Sequence, residues 1–363
     1  MAPWSKKIVQ FRIEYAKPIY TAGETLVGSV ILELKEPMKA KDLQMTISGK
    51  VMTRWSESTM PERSGSNWGG DTDGNTTVYN TEDYPPDIFY GEEILINQPI
   101  LLWQARHEED QLPAGTHNFK FTLPIPVQCP SSLDCSRSDD EGSWEGAKVC
   151  YLTDGVINRR GLLKGAIKVE NKFTVRGLYD LNADPNARSR AETNVGHQKL
   201  YCCCWSTGQL SIYGNMDRQG YAPGERIHVN ATANNESNKS VKSVTASLER
   251  IIETYGYLDG KPRNKRKSNL STQTVATQVS NIQIPVRSKK DLTFSLAIGD
   301  DAVPNLSHCY CMKISHLIRI KMNMKSEIVS GISCSMPVII GTIPLRNLPT
   351  APPVHVNQVQ LKT

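Results

Sequence analysis

The sequence predicts an all-β protein: two tandem antiparallel β-sandwich domains of immunoglobulin-like type, with a short flexible C-terminal tail. Three observations point there. Apolar and polar residues alternate with period two in many short segments. Gly, Pro, Asn and Asp clusters separate those segments. The phrase Tyr-x-x-Gly-Glu also occurs twice, about one domain apart, each time ahead of an alternating run. No long segment carries a helical stripe.

In chain order, Val9, Phe11, Ile13 and Tyr15 alternate with Gln10, Arg12 and Glu14, which predicts one buried and one wet face. Tyr20-Thr-Ala-Gly23-Glu24 reads as a corner, with Gly free to take a positive φ and Tyr covering a sheet end. The following strand places Leu26, Val30, Leu32 and Leu34 on one side. The region from Trp55 to Tyr90, full of Gly, Asn, Ser and Asp, is expected to be a long mobile excursion between strands. Leu112-Pro-Ala-Gly115 reads as a tight turn. Phe119, Phe121 and Leu123 then point inward, and Pro124 ends the ladder because it lacks a donor. Asp134 to Gly146, with the acidic Asp139-Asp140-Glu141, is expected as a surface loop in which Ser136 and Ser138 are candidate phosphorylation sites.

Asp180 to Arg190 is polar, broken by Pro185 and without periodicity, as an interdomain connection would be. Past it, Tyr221-Ala-Pro-Gly224-Glu225 repeats the corner and Arg226 to Ala233 the strand. Leu292, Phe294, Leu296 and Ile298 alternate again, as do Ile318, Ile320, Met322 and Met324. The expected division is a first sandwich over 1–182, a linker over 183–199, a second sandwich over 200–345 and a proline-containing tail over 346–363.

Composition narrows the function. An apolar fraction of 39% with 22% charged residues is globular, and no apolar run is long enough to span a bilayer as a helix. Lys6 and Lys7 precede an alternating segment where a secretory signal would be continuously apolar, so a cytoplasmic protein is expected. The net charge of +5 is mild and scattered, which argues against a nucleic-acid binder. Nine cysteines at irregular spacing are expected as reduced thiols. Cys202-Cys203-Cys204 and Cys309-x-Cys311 are read chiefly as packing. A four-thiolate zinc site and reversible thiol exchange stay open, the first only if those strands are neighbours. The seven histidines are dispersed, and hydrolase elbows, phosphate-cradling loops and zinc helices are missing. No catalytic group, metal centre or cofactor is expected.

Several phrases together resemble the arrestin-domain-containing proteins, or α-arrestins. They are Tyr20-x-x-Gly23-Glu24, Gly49 with Trp55, Leu112-Pro-Ala-Gly115 through Pro124, and Pro130-Ser131-Ser132-Leu133. In the second half they are Cys203 to Trp205, Gly220 to Glu225, Asn235 with Ser237, and Pro337 to Leu345. The Asp134 to Gly146 stretch departs from the family's shorter passage into a Val-x-Tyr strand. The resemblance implies arrestin-like sandwiches and a non-enzymatic adaptor in endocytosis, endosomal sorting and ubiquitin-linked trafficking. Its implied partners are membrane-protein cargo tails, HECT-type ubiquitin ligases and endosomal sorting proteins, with recruitment to plasma membrane and endosomes. The alternative is a signalling scaffold or inhibitor of a soluble enzyme.

Two candidate sites follow. Relatives carry Pro-Pro-x-Tyr tails read by WW domains; here the match is Pro352-Pro353-Val354-His355, with His in place of Tyr. Pro349-Thr350-Ala351-Pro352 overlaps it and resembles a motif read by endosomal sorting proteins. The second site is the cluster Lys261, Arg263, Lys265, Arg266 and Lys267, read as a solvated hairpin tip or as a dock for anionic lipid or a phosphorylated tail.

Overall fold

The computed structural model describes residues 7–58, 85–107, 109–138, 143–160, 165–193, 196–202, 205–324 and 331–346. The first half contains β1 (Ile8–Tyr15), β2 (Ile19–Thr21), β3 (Thr25–Leu34), β4 (Ala40–Glu57) and β5 (Asp87–Gln104). It continues with β6 (Gly115–Pro124), β7 (Leu133–Asp134), β8 (Arg137–Ser138), β9 (Trp144–Arg159) and β10 (Ile167–Arg176). The second half contains β11 (Ala191–Glu192), β12 (Gly196–Cys202), β13 (Trp205–Met216), β14 (Gly220–Tyr221) and β15 (Arg226–Asn235). Its remaining strands are β16 (Val241–Leu258), β17 (Arg266–Ser280), β18 (Ser288–Ala297), β19 (Met312–Met324) and β20 (Ser333–Ile340). No helix occurs among the described residues.

Each half stacks two sheets over a core. In the first, β1-β3-β6 faces the run β5-β4-β9-β10-β2. In the second, β13-β15-β18 faces β16-β19-β20-β14, with β17 alongside β16. The strand orders are the same after a shift along the chain, so the duplicated phrase reflects a duplicated topology. Leu26, Val30 and Phe121 meet Met45, Ile47 and Tyr151 in one core. Ile227, Val229 and Phe294 meet Ile318, Ile320 and Met322 in the other.

The two corners share one turn geometry. Gly23 and Gly224 sit at φ 88° and 84°, which L side chains adopt only with strain. Their N–H groups donate to Ile125 and Ile298 carbonyls. Glu24 accepts from the Thr21 N–H at 2.7 Å, and Glu225 from the Ala222 N–H at 2.8 Å. Behind each turn a tyrosine is 1% exposed (Tyr20, Tyr221) beneath a cation, Lys17 or Arg218. The corner strands β2 and β14 pair in parallel with β10 and β20.

Four expectations are revised. The pairing of β1 with β3 shifts register between Ile8 and Gln10, a bulge that leaves Val9 48% exposed rather than inward. The excursion expected from Trp55 to Tyr90 is strand at both ends: β4 runs to Glu57, β5 begins at Asp87, and Trp55 and Phe89 are buried. Asp134 to Gly146 is not wholly a loop. β7 and β8 pair with β9, and Ser136 bonds the Asp134 carboxylate; Asp139-Asp140-Glu141 lies outside the described residues. The segment read as a connection holds β11 and the start of β12, both paired with β13.

One buried group ties stability to pH. His316 on β19 is 5% exposed, and its Nδ1 donates to Asn305 Oδ1 at 2.7 Å, which also accepts from the Ile340 N–H. Burial, aided by the Arg250 charge, pushes the imidazole down to about 3. Below the ordinary histidine range the unfolded chain therefore takes up a proton that the folded chain refuses. Stability is complete above about pH 6.5 and falls as the pH drops towards 3. Between pH 7 and pH 5 this group is expected to remove about 2 kcal/mol. Urea midpoints at the two pH values should differ less in His316→Gln than in the natural chain; equal differences would refute the assignment.

Candidate functional site

The two halves do not meet as separate bodies. Tyr257 and Leu258 of β16 pair with Tyr90 and Phe89 of β5, which fuses one sheet from each half into a single 12-stranded sheet. Trp55 and Phe89 stack there with ring centroids 5.3 Å apart. Thr53 Oγ1 donates to the Tyr255 carbonyl at 2.9 Å, and the Tyr255 N–H donates to the Cys311 carbonyl at 2.8 Å. Ile252, Leu306, Cys309, Cys311, Met312 and Ile314 of the second half belong to the first half's core.

The basic cluster lies beside this seam, and the structure divides it. Lys261, Arg263 and Lys265 are exposed at the tip of the β16–β17 hairpin. Asn264 closes the tip by donating from its backbone to Lys261 and from its side chain to Leu258. Arg266 instead stacks over the Tyr255 and Tyr310 rings and donates to the Tyr310 carbonyl. Lys267 pairs with Glu57 across the halves and lies over Phe89. The Lys267 ammonium, with the Trp55 N–H, holds Glu57 below the usual carboxylate range. Among the described residues Lys261, Arg263 and Lys265 pair with no carboxylate, whereas Arg266 is held on Tyr255 and Tyr310 within the second half and Lys267 bridges the halves. The tail residues Pro349, Thr350, Ala351, Pro352, Pro353, Val354 and His355 lie outside the described residues.

The hairpin's second strand is a site that sequence reasoning missed. Among the described residues β17 hydrogen-bonds as a strand only to β16, so its other edge offers unpaired backbone groups over much of 15 residues. The edge carries Ser, Thr and Gln with exposed Leu270, Val275 and Val279, and no proline. Its alternation is weak, because both faces are largely wet.

A cleft of about 740 Å³ also opens between the halves. Arg176, Glu225, Asp300 and Asp301 contribute its charges. Its serines are committed to the backbone: Ser131 Oγ accepts from Gly177 N–H and Ser132 Oγ from Val175 N–H. Among the described residues no histidine or cysteine lines it to activate them or to act as nucleophile.

The cysteines separate as well. β12 and β13, which flank Cys203 and Cys204, lie in the five-stranded sheet, whereas Cys309 and Cys311 lead into β19 of the fused sheet. Among the described residues β12 and β13 do not pair with β19, so the two cysteine groups do not sit on adjacent strands of one sheet. Instead Cys309 and Cys311 face Glu93 of β5. The Cys309 thiol is pushed up by its hydrogen bond with Cys311, then by burial and by Glu93. Glu93 carries no spacing signal in the sequence, since its role depends on β5 abutting a turn of the other half.

Sandwich pairs joined in this way define an arrestin-type protein. The chain belongs to the arrestin family: residues 9–182 match "Arrestin (or S-antigen), N-terminal domain" and residues 206–345 match "Arrestin (or S-antigen), C-terminal domain". Members of this family serve in general as trafficking adaptors. The chain is similar to arrestin domain-containing protein 17 of Caenorhabditis elegans, at 22% identity over 92% of this chain and 71% of the relative. Arrestin domain-containing protein 4 of Homo sapiens is 23% identical over 90% of this chain and 69% of its own length. Arrestin domain-containing protein 5 of Homo sapiens is 23% identical, over 73% and 67% respectively.

Proposed function

We propose that this chain is a non-enzymatic cytoplasmic adaptor that holds the cytosolic tail of a membrane protein and brings it to endocytic, endosomal-sorting and ubiquitylation machinery. The supporting observation is the β16–β17 hairpin, whose open edge ends in an exposed cationic tip. An extended peptide adds to such an edge through main-chain hydrogen bonds, which bind with little demand on sequence. The Lys261, Arg263 and Lys265 charges favour acidic or phosphorylated tails and an anionic membrane surface. The segment after residue 345, with Pro349-Thr350-Ala351-Pro352 and Pro352-Pro353-Val354-His355, recruits the downstream proteins.

Proximity labelling in cells tests this with three variants. Successive N–H groups of a strand point to opposite sides, so of Ser271→Pro and Thr272→Pro one removes a bond to β16 and the other removes an edge donor. The variant that keeps its thermal midpoint is the edge variant, and it is expected to lose membrane-protein neighbours by about tenfold. Removal of 346–363 should keep those neighbours and lose ubiquitin ligases and sorting components. Neighbours dominated by soluble enzymes, unchanged in all variants, would defeat the proposal.

A further inference from the structure

From Glu93, Cys309 and Cys311 we infer a thiolate-rich zinc site that joins the two halves of the protein. The sulfurs and one carboxylate oxygen all lie within 4.8 Å of one another. Cys309 and Cys311 are 6% and 1% exposed, and Glu93 is half-buried at the solvent side. A bend through 310–311 turns both thiols to one side, and the Tyr310 N–H and Cys309 thiol both point at Glu93 Oε2, the latter at 2.8 Å.

A buried thiol behaves as a small apolar group and needs no carboxylate. Here the Glu93 carboxylate is brought against two thiols and takes a hydrogen bond from the Cys309 thiol, whose proton a soft metal ion would replace. Zinc bonds of about 2.3 Å to sulfur and about 2.1 Å to oxygen place tetrahedral ligands roughly 3.4–3.8 Å apart. Small side-chain rotations reach that spacing. Two soft sulfurs with one carboxylate suit zinc, and disfavour calcium or magnesium, which take oxygen ligands.

The charges and protons balance. Binding converts both thiols to thiolates, releases two protons to solvent, and leaves the site with a net charge of −1. Arg266, over the Tyr310 ring at 5.0 Å and bonded to the Tyr310 carbonyl, is a cation on the residue between the two cysteines. The fourth position is left to water or a ligand from solution, because among the described residues no other histidine, cysteine or carboxylate joins these three. Glu93 comes from β5 and the cysteines from the approach to β19, so one ion spans the seam. This site is independent of the adaptor reading above.

The test uses the full chain, stripped with a chelator under reducing conditions and titrated with cobalt(II). One ion per chain is expected by native mass spectrometry, with thiolate-to-cobalt charge-transfer and tetrahedral ligand-field bands that zinc abolishes. Cys309→Ser and Cys311→Ser should each weaken binding by more than the ~10–100-fold typical of losing an outer-shell partner. Cys334→Ser, buried elsewhere, should leave it unchanged. Should a cysteine variant fail to fold by circular dichroism, Glu93→Gln, at the half-exposed ligand, keeps both thiolates but is expected to weaken cobalt binding and to shift the ligand-field bands. The inference is overturned if the natural chain shows no charge-transfer band. It is equally overturned if cobalt affinity is unchanged in these ligand variants, or falls only on replacing Cys202 to Cys204.

Discussion

Gly91→Ala is expected to destabilise the protein by about 3 kcal/mol or more and to uncouple its halves. Gly91 on β5 lies where the two sheets fuse. A Cβ built there would stand under 3.0 Å from the Tyr255 carbonyl oxygen and from Thr53 Oγ1, and 3.0 Å from Cys311 Cβ. Two of these neighbours are backbone or Cβ, so no flexible chain end can swing aside. Relief requires β5 and β16 to separate, which breaks the Thr53–Tyr255 bond and strains the Phe89 and Tyr90 pairing. The backbone could tolerate alanine; the space could not. Urea denaturation should show a lower midpoint. Limited proteolysis should release the halves more readily. Two unfolding transitions where the natural chain shows one would be the clearest sign of uncoupling. An unchanged midpoint would mean that the seam is far looser than its geometry.

Asn235→Ala is expected to cost about 4 kcal/mol, nearly all of it in the second half. Asn235 is fully buried, and its amide NH2 donates to the carbonyls of Lys239, Ile284 and Pro285. Its Oδ1 accepts from both the N–H and the hydroxyl of Ser237. One side chain therefore satisfies the backbone of two connections, the one after β15 and the one before β18. Alanine removes five bonds at once and leaves the Ser237 N–H without its acceptor, while the Lys239, Ile284 and Pro285 carbonyls each keep one donor, the Ser237 hydroxyl, the Val241 N–H and the Ser288 hydroxyl. Each lost buried bond is worth about 0.5–1.5 kcal/mol, not additively. Asn235→Asp keeps the shape and the acceptor but turns the donor into a second oxygen facing three carbonyls, so it should be at least as harmful. Thermal scans of both variants against Asn230→Ala, an exposed neighbour, provide the comparison. If Asp were tolerated, the three donor bonds would carry little weight.

Strands were legible where a single face is buried. Leu26, Val30, Leu32 and Leu34 announce β3, and Leu292, Phe294 and Leu296 announce β18, because period-two alternation records a half-buried sheet directly. The Tyr-x-x-Gly-Glu corners were legible because only glycine takes their backbone angle easily. Val9 misled because one extra residue in β1 reverses the alternation without changing composition. The ends of β4 and β5 near Trp55 and Phe89 were hidden beside a polar, glycine-rich stretch, and their burial comes from the other half. The candidate sites divide the same way. The cations of the hairpin tip are a local signal, whereas the separation of Arg266 and Lys267 from Lys261, Arg263 and Lys265 depends on Tyr310 and Glu57, far away in the chain. β17 carries almost no pattern, since a strand wet on both faces writes none.

The last described residues are fastened down. Arg346 donates from its backbone to Asn182 Oδ1, and its carbonyl accepts from Arg188, while Asn182 also bonds the Pro344 carbonyl. The chain thus leaves the second half at the junction with the first, and everything beyond is tethered at that point. A fully extended chain covers at most about 3.6 Å per residue, so His355 lies within roughly 30 Å of Arg346 whatever its conformation. A partner bound at 349–355 would therefore have its point of attachment within that radius of the junction between the halves.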